Sequence, residues 1–322
     1  MGRESQGVSG RLNRPFVGIP SFLRSPICTD PEKLDASIAV MGVPTDEGSP
    51  FLPGARFGPR SIREHSLRFG AGGNGIFDMR TGRRFLEYEL TNRRLVDAGD
   101  ADVVPTNVAG TFENITQMTQ QIIEHGSLPV ILGGDHAITF PVVRGFSGPL
   151  HVVHFDAHTD YAPFANGLEM TNGHAFRHIH RMPHVETLTQ IGIRGLRTSP
   201  QDSIADGNRV ITMDEFRGYS PEALVEPLPR DARCYVSIDI DALDMSLVPG
   251  TVSAEPDGMN YTQLRDALVA VARRVDVVGF DLVEVNPSLD VGTGITSYLA
   301  AYLIIEFLGH ICEQPRWRER RR

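Results

Sequence analysis

The sequence predicts an α/β protein: a three-layer α/β/α sandwich around a central parallel sheet. Short apolar runs recur without polar alternation, as strands buried on both faces do. Longer stretches with apolar residues at helical spacing lie between and after them, and strands alternating with helices imply parallel pairing through crossovers. No shift in composition divides the 322 residues. One domain is therefore expected over residues 35–314, with an N-terminal arm (1–34) before it and a basic tail (315–322) after it.

The arm holds scattered Pro, Gly and Ser without a sustained period. Residues 36–43 (ASIAVMGV) form the first strand, stopped by Pro44. Residues 60–67 read as a helix behind Gly58-Pro59, with proline near its first turn. Residues 107–125 have helical spacing through Ile115, Met118, Ile122 and Ile123, and Gly126 marks the stop. Buried-strand runs follow at 128–132, 151–155, 187–193, 234–240 and 275–282. An amphipathic helix (261–274) separates the last two, and a mostly apolar helix (297–311) closes the domain.

Forty acidic against 31 basic residues give a net charge of −9. That balance argues against nucleic acid, which needs a basic surface. The exception is the arginine-rich end from Arg316 to Arg322, read as a solvated, frayed terminus, with a subunit contact as the alternative. No run approaches the roughly 18 uncharged apolar residues of a membrane helix, and Arg3 and Glu4 stand where a secretory signal would need an apolar stretch. Cys28, Cys234 and Cys312 are too scattered for a disulfide framework or a metal knuckle, and are expected to pack as small apolar groups. A cytoplasmic protein that binds neither membranes nor nucleic acid is expected.

In parallel sheets, ligands bind beyond the carboxyl ends of the strands. The polar residues ending the apolar runs are Gly133-Gly134-Asp135-His136, Asp156-Ala157-His158-Thr159-Asp160, Asp239-Ile240-Asp241 and Glu284. Alternate side chains of an extended segment face one way, so Asp156, His158 and Asp160 can address one point, as can Asp239 and Asp241. Converging carboxylates are costly to bury without compensation, and divalent cations supply it. Two histidines and four aspartates suggest two metals, and a set without thiolate favours Mn²⁺, Ni²⁺, Co²⁺ or Fe²⁺ over structural zinc.

These motifs resemble those of the ureohydrolase superfamily of arginases, agmatinases and guanidinobutyrases, its agmatinase-like branch in particular. The resemblance spans residues 37–309. It includes Gly42-Val43-Pro44-Thr45-Asp46, Pro53-Gly54-Ala55-Arg56-Phe57-Gly58-Pro59-Arg60, Asp97-Ala98-Gly99-Asp100 and Asp281-Leu282-Val283-Glu284-Val285-Asn286-Pro287. It implies that His136, Asp156, His158, Asp160, Asp239 and Asp241 hold two divalent ions, Mn²⁺ or Ni²⁺, with Asp156 and Asp239 bridging. It further implies that Asp160 orients a hydroxide and passes a proton to the departing amine. Glu284 would grip the guanidinium with both oxygens, and urea or a substituted urea would leave. A homo-trimer or hexamer is implied as well, and a hetero-oligomer with a paralogue stays open.

Two departures separate this chain from that pattern. Asn172 stands where a histidine thought to move protons is usual, and His174 stands two residues later. Either His174 reaches the same place or the pocket takes another substrate; the second is favoured, since Asn cannot shuttle protons. Gly250-Thr251-Val252-Ser253-Ala254-Glu255 replaces a Gly-Thr-Gly-Thr-Pro-Glu segment. With Tyr161, Phe164 and Asn166 as a compact wall, guanidine, an N-methylated guanidine or a biguanide such as metformin becomes the expected small cationic substrate. The rivals are an agmatinase or guanidinobutyrase, a formimino-group hydrolase, and a scaffold subunit. His178, His180 and His184, with Arg177 and Arg181, read as a polar face rather than a second metal site.

Overall fold

The computed structural model describes residues 14–69, 74–197 and 199–320. The first thirteen residues of the expected arm and the last two of the tail lie outside the described residues. Among the described residues there are ten strands: β1 Ile38–Gly42, β2 Ile76–Asp78, β3 Arg83–Phe85, β4 Leu95–Asp100, β5 Leu128–Leu132, β6 Leu150–Phe155, β7 Val185–Ile193, β8 Arg209–Thr212, β9 Arg233–Asp239 and β10 Asp276–Val283. Eight form one sheet in the order β4-β1-β5-β10-β9-β6-β7-β8, and every pairing in it is parallel. β2 and β3 make a separate antiparallel hairpin.

Alternation along the strands builds the three layers. In β5, Val130 and Leu132 join one apolar core while Ile131 joins the other; in β10, Phe280 and Leu282 part from Val283 in the same way. The first core receives Ile62 from helix Gly58–Ser66, Leu264 and Leu268 from Tyr261–Arg274, and Ile304 and Phe307 from Ile295–Cys312. The second receives Phe112 and Ile115 from Val108–Glu124 and Phe176 from Ala175–His180. Each such side chain contributes about 1.5–3 kcal/mol of burial. Asn107 caps its helix by accepting from the Gly110 N–H, and Asn260 and Gln263 close a capping box on theirs.

The edges of the sheet differ from the expectation. β4 and β8 have no counterpart among the apolar runs, because edge strands need apolar residues on fewer sides. In β4 the polar Asp97 is nonetheless buried: its carboxylate meets the Arg63 guanidinium at 2.8 and 2.9 Å and accepts the Phe22 N–H. The basic end is a second correction. Pro315–Arg320 is a short helix, with Trp317 buried and its Nε1–H donating to Glu89 Oε1 at 2.9 Å. Arg316 and Arg320 pair with Asp231 and Asp276. By length and composition, helix Ile295–Cys312 is long and apolar enough to cross a membrane, yet 78% of it is buried inside the fold and it carries Glu306, so it serves here as a core helix.

Candidate metal centre and active site

The four polar motifs leave the carboxyl ends of β5, β10, β9 and β6, which are neighbours in the middle of the sheet. Scattered through 150 residues of sequence, they meet because the crossovers place β9 and β10 between β5 and β6. Gly134 is needed at the exit of β5: a Cβ there would lie 1.8 Å from the Thr45 carbonyl oxygen. Asp160 (φ 45°) and Glu284 (φ 65°) hold the left-handed conformation that side-chain-bearing residues avoid. Strain at two such positions, both facing one cavity, is the kind that functional sites retain.

All six expected ligands come together. His136 Nδ1 lies 3.0 Å from Asp156 Oδ2 and 3.1 Å from both Asp160 Oδ2 and Asp239 Oδ2. His158 Nδ1 lies 3.1 Å from Asp241 Oδ2 and 3.3 Å from Asp156 Oδ1. Asp156 thus serves both groups. The first histidine is oriented from behind: its Nε2 is 2.9 Å from Ser237 Oγ, which donates to Asp281 Oδ1 at 2.6 Å. Asp281 also accepts from Thr139 and Tyr235. With Nε2–H given to Ser237, Nδ1 presents a lone pair to three carboxylate oxygens, an arrangement that only a proton or a cation relieves. His158 is backed by Glu255, 3.4 Å from its Nε2.

Charge in this cluster is out of balance. Burial, then Asp241 and Asp156, push the Asp239 carboxyl well above its usual range; burial and Asp156 raise Asp241 and lift Asp160 to about 6. Burial would depress both histidines, but the facing carboxylates hold His136 well above its ordinary value and His158 at about 12. Burial, with Asp135 beside it, raises Glu284 to about 8. Carboxylates that favour protons and imidazoles that favour charge are the donor set a divalent cation satisfies.

His158, Asp160, Asp239 and Asp241 floor a cavity of about 520 Å³. Glu284, Asn172, Gly173 and Tyr161 line it, together with Ser49–Phe51 carried by the loop that Asp46 clamps through the Gly54 and Arg56 N–H groups. The other expected substrate residues are elsewhere. Phe164, His174 and the exposed Asn166 are not part of the lining. A 3₁₀ turn at Asn172–His174 sends residue 172 inward and residue 174 back, so that His174 Nδ1 meets Thr171 Oγ1 at 2.7 Å beneath Phe164. His174 therefore does not stand in for the histidine missing at 172. Tyr161 keeps its hydroxyl out of the cavity, on Asp206. His178, His180 and His184 bond separately to Glu169, Asn208 and Val143, and gather no second site.

Sequence reasoning missed the backing residues. His154 is fully buried; Gln190 donates to its Nδ1, its Nε2–H reaches Asp156 Oδ2 at 2.7 Å, and burial lowers it to about 4, keeping it neutral. Its signal was the same two-residue period, read one step backward from Asp156. Ser237 carries that signal too, two residues before Asp239; Asp281, its partner on the adjacent strand, lies three before Glu284 and does not.

Comparison with known proteins fits this geometry. The family model described as the arginase family matches residues 36–309. Guanidinopropionase from Pseudomonas aeruginosa is 37% identical, over 92% of this chain and 93% of that protein. Mitochondrial agmatinase from Gallus gallus is 35% identical, over 91% and 85%. The solved structure of proclavaminate amidinohydrolase from Streptomyces clavuligerus superposes with a TM-score of 0.79 at 32% identity, covering 92% of this chain and 98% of that one.

Proposed function

The chain belongs to the arginase family and is a hydrolase acting on guanidino C–N bonds, and from that premise we propose that it cleaves a small guanidino compound to urea, or a substituted urea, plus an amine, with two divalent cations at the His136 and His158 groups. The observation that carries the two-cation reading is the pair of imidazole nitrogens, each faced by carboxylates at 3.0–3.3 Å and joined through Asp156. Mn²⁺ and Ni²⁺ both suit imidazole–carboxylate ligands without thiolate. Bound cations supply neutralisation of the carboxylates and a water acidic enough to ionise near neutral pH.

The remaining work belongs to the side chains. Glu284 receives the guanidinium at the cavity floor, close enough to the cluster that its Oε1 bonds the His136 N–H at 2.9 Å. A cationic substrate reverses the burial that raises Glu284, since the ion pair favours the carboxylate. Asp160, on its strained backbone between His136 and the cavity, is positioned to take the nucleophile's proton and hand it to the departing nitrogen. Tyr161 and the Ser49–Phe51 loop narrow the approach and limit water.

A compact cation is favoured by Asn172, which fills a cavity position without adding a charge. Arg197 favours a second substrate, a guanidino carboxylate of the kind named for the P. aeruginosa relative: it lines the same cavity, and its side chain is 70% exposed. The test is urea and amine release by chain reconstituted with Mn²⁺ or Ni²⁺, across guanidine, methylguanidine, biguanides, 3-guanidinopropionate and agmatine. Activity on the first three supports the compact cation; a clear preference for 3-guanidinopropionate moves the assignment to the second substrate. Formamide from a formimino compound, with no urea from any guanidine, overturns the proposal.

A further inference from the structure

A second cavity, of about 290 Å³, opens at the opposite end of the sheet, where β1, β5, β9 and β10 begin. Arg94, Arg233 and Arg320 line it and, among the described residues, no carboxylate does. Such a wall runs against the composition of a chain with a net charge of −9. The three arginines are distant in sequence: Arg94 stands just ahead of β4, Arg233 opens β9, and Arg320 ends the helix Pro315–Arg320.

Their hydrogen bonds leave donors over. A guanidinium carries five N–H groups. Arg233 gives one, from Nη1, to the Ser147 carbonyl, and the other four meet no acceptor among the described residues. Asp276, opposite Arg233 across the β9–β10 ladder, is taken by Arg320. Arg94 gives Nη1 to Asp35 Oδ1 at 2.6 Å and Nε to Ser37 Oγ at 3.4 Å, and its Nη2 is unused. The Asp35 side chain is 87% exposed, so water screens its charge. The cavity therefore keeps positive charge and free N–H groups. Beside them the wall is apolar, built from Ile123, Leu128, Phe146 and Trp317.

We propose that this cavity binds a small organic carboxylate, with its oxygens on Arg233 and Arg94 and its apolar body against Phe146 and Trp317. Charge-assisted N–H donors suit the two oxygens, and the apolar wall favours an organic anion over an inorganic one. Arg233 precedes Asp239 by six residues on one strand, about 20 Å at roughly 3.3 Å per residue. The site is thus separate from the cation cluster and stands whether or not the hydrolase reading does.

Trp317 is the single tryptophan of the chain, so its emission reads this cavity directly. The experiment titrates the Mn²⁺-loaded chain with hexanoate, hexanol or inorganic phosphate at constant ionic strength. Hexanoate should give a saturable change in emission, with hexanol and phosphate at least about tenfold weaker. Arg233→Gln should raise the hexanoate Kd about tenfold or more, the worth of a hydrogen bond to a charged group, while Mn²⁺ affinity and the urea-unfolding midpoint stay near native. Arg94→Gln should act in the same direction and serves if the first variant does not fold. No saturable response to hexanoate, an equal response to hexanol, or an unchanged Kd in both variants would overturn the site. Phosphate binding more tightly than hexanoate would overturn the assignment to an organic carboxylate.

Discussion

Replacing Ser237 by alanine removes one hydroxyl and no cavity-lining atom, yet cation affinity should fall sharply. Ser237 Oγ is the link between His136 Nε2 at 2.9 Å and Asp281 Oδ1 at 2.6 Å. Without it, nothing holds the proton on Nε2, and the ring loses its preference for presenting the Nδ1 lone pair to the ion. Loss of such a backing contact costs about 10–100-fold in metal affinity, equivalent to about 1.4–2.8 kcal/mol. Asp281 keeps its Oδ2 partners Thr139 and Tyr235, each at 2.8 Å, so the fold itself should lose only about 1–3 kcal/mol from the orphaned oxygen. Isothermal titration of cation-free protein with Mn²⁺ reads the affinity, and urea denaturation reads the stability separately. An unchanged Mn²⁺ Kd in a folded Ser237→Ala protein would refute the orienting role of the Ser237–Asp281 pair.

Glu284→Gln keeps an oxygen for the His136 N–H but loses the charge facing substrate; KM for the guanidino substrate should rise about 10–100-fold, the worth of a charge-assisted bond, with Mn²⁺ affinity nearly unchanged by titration. The raised carboxyls set a pH dependence. Asp160 and Glu284 titrate near 6 and 8 in the cation-free fold instead of near their ordinary values, so the folded chain binds more protons than the unfolded one between about pH 4 and 8. Cation-free stability should therefore fall as pH rises through that window, and the Tm gain on adding Mn²⁺ should be larger at pH 8 than at pH 5, by differential scanning calorimetry. Trp317→Ala should cost about 3 kcal/mol in denaturant unfolding, by emptying a buried site and stranding its bond to Glu89, while kcat on the surviving folded protein stays as in the native chain.

The central strands were legible because burial on both faces favours apolar residues: the runs at β5, β6, β9 and β10 are mostly apolar, with His154, Ser237 and Asp281 as buried polar exceptions, and end in the polar motifs. The convergence of the six side chains was legible for a related reason, since no packing rationale exists for Asp156, His158 and Asp160 at a two-residue period. The edge strands β4 and β8 were not, because their runs are short and broken by charged residues, Asp97 in β4 and Arg209 in β8. The tail misled through its charge: arginines suggested solvent, but Trp317 within it supplies the anchor, and its partners Glu89, Asp231 and Asp276 all lie far away in sequence. His174 shows the finer limit. Sequence spacing put it two residues from the cavity position, and a single 3₁₀ turn was enough to point it away.

Every claim about catalysis above depends on cations binding at His136 and His158 together. Equilibrium dialysis of the stripped chain against Mn²⁺ and, separately, Ni²⁺, with elemental analysis of the protein and urea measured in the same samples, tests this directly. The geometry predicts two ions per chain, with urea release from a guanidino substrate appearing as the sites fill. Saturation at one ion or none, or urea formation that ignores cation content, would contradict it.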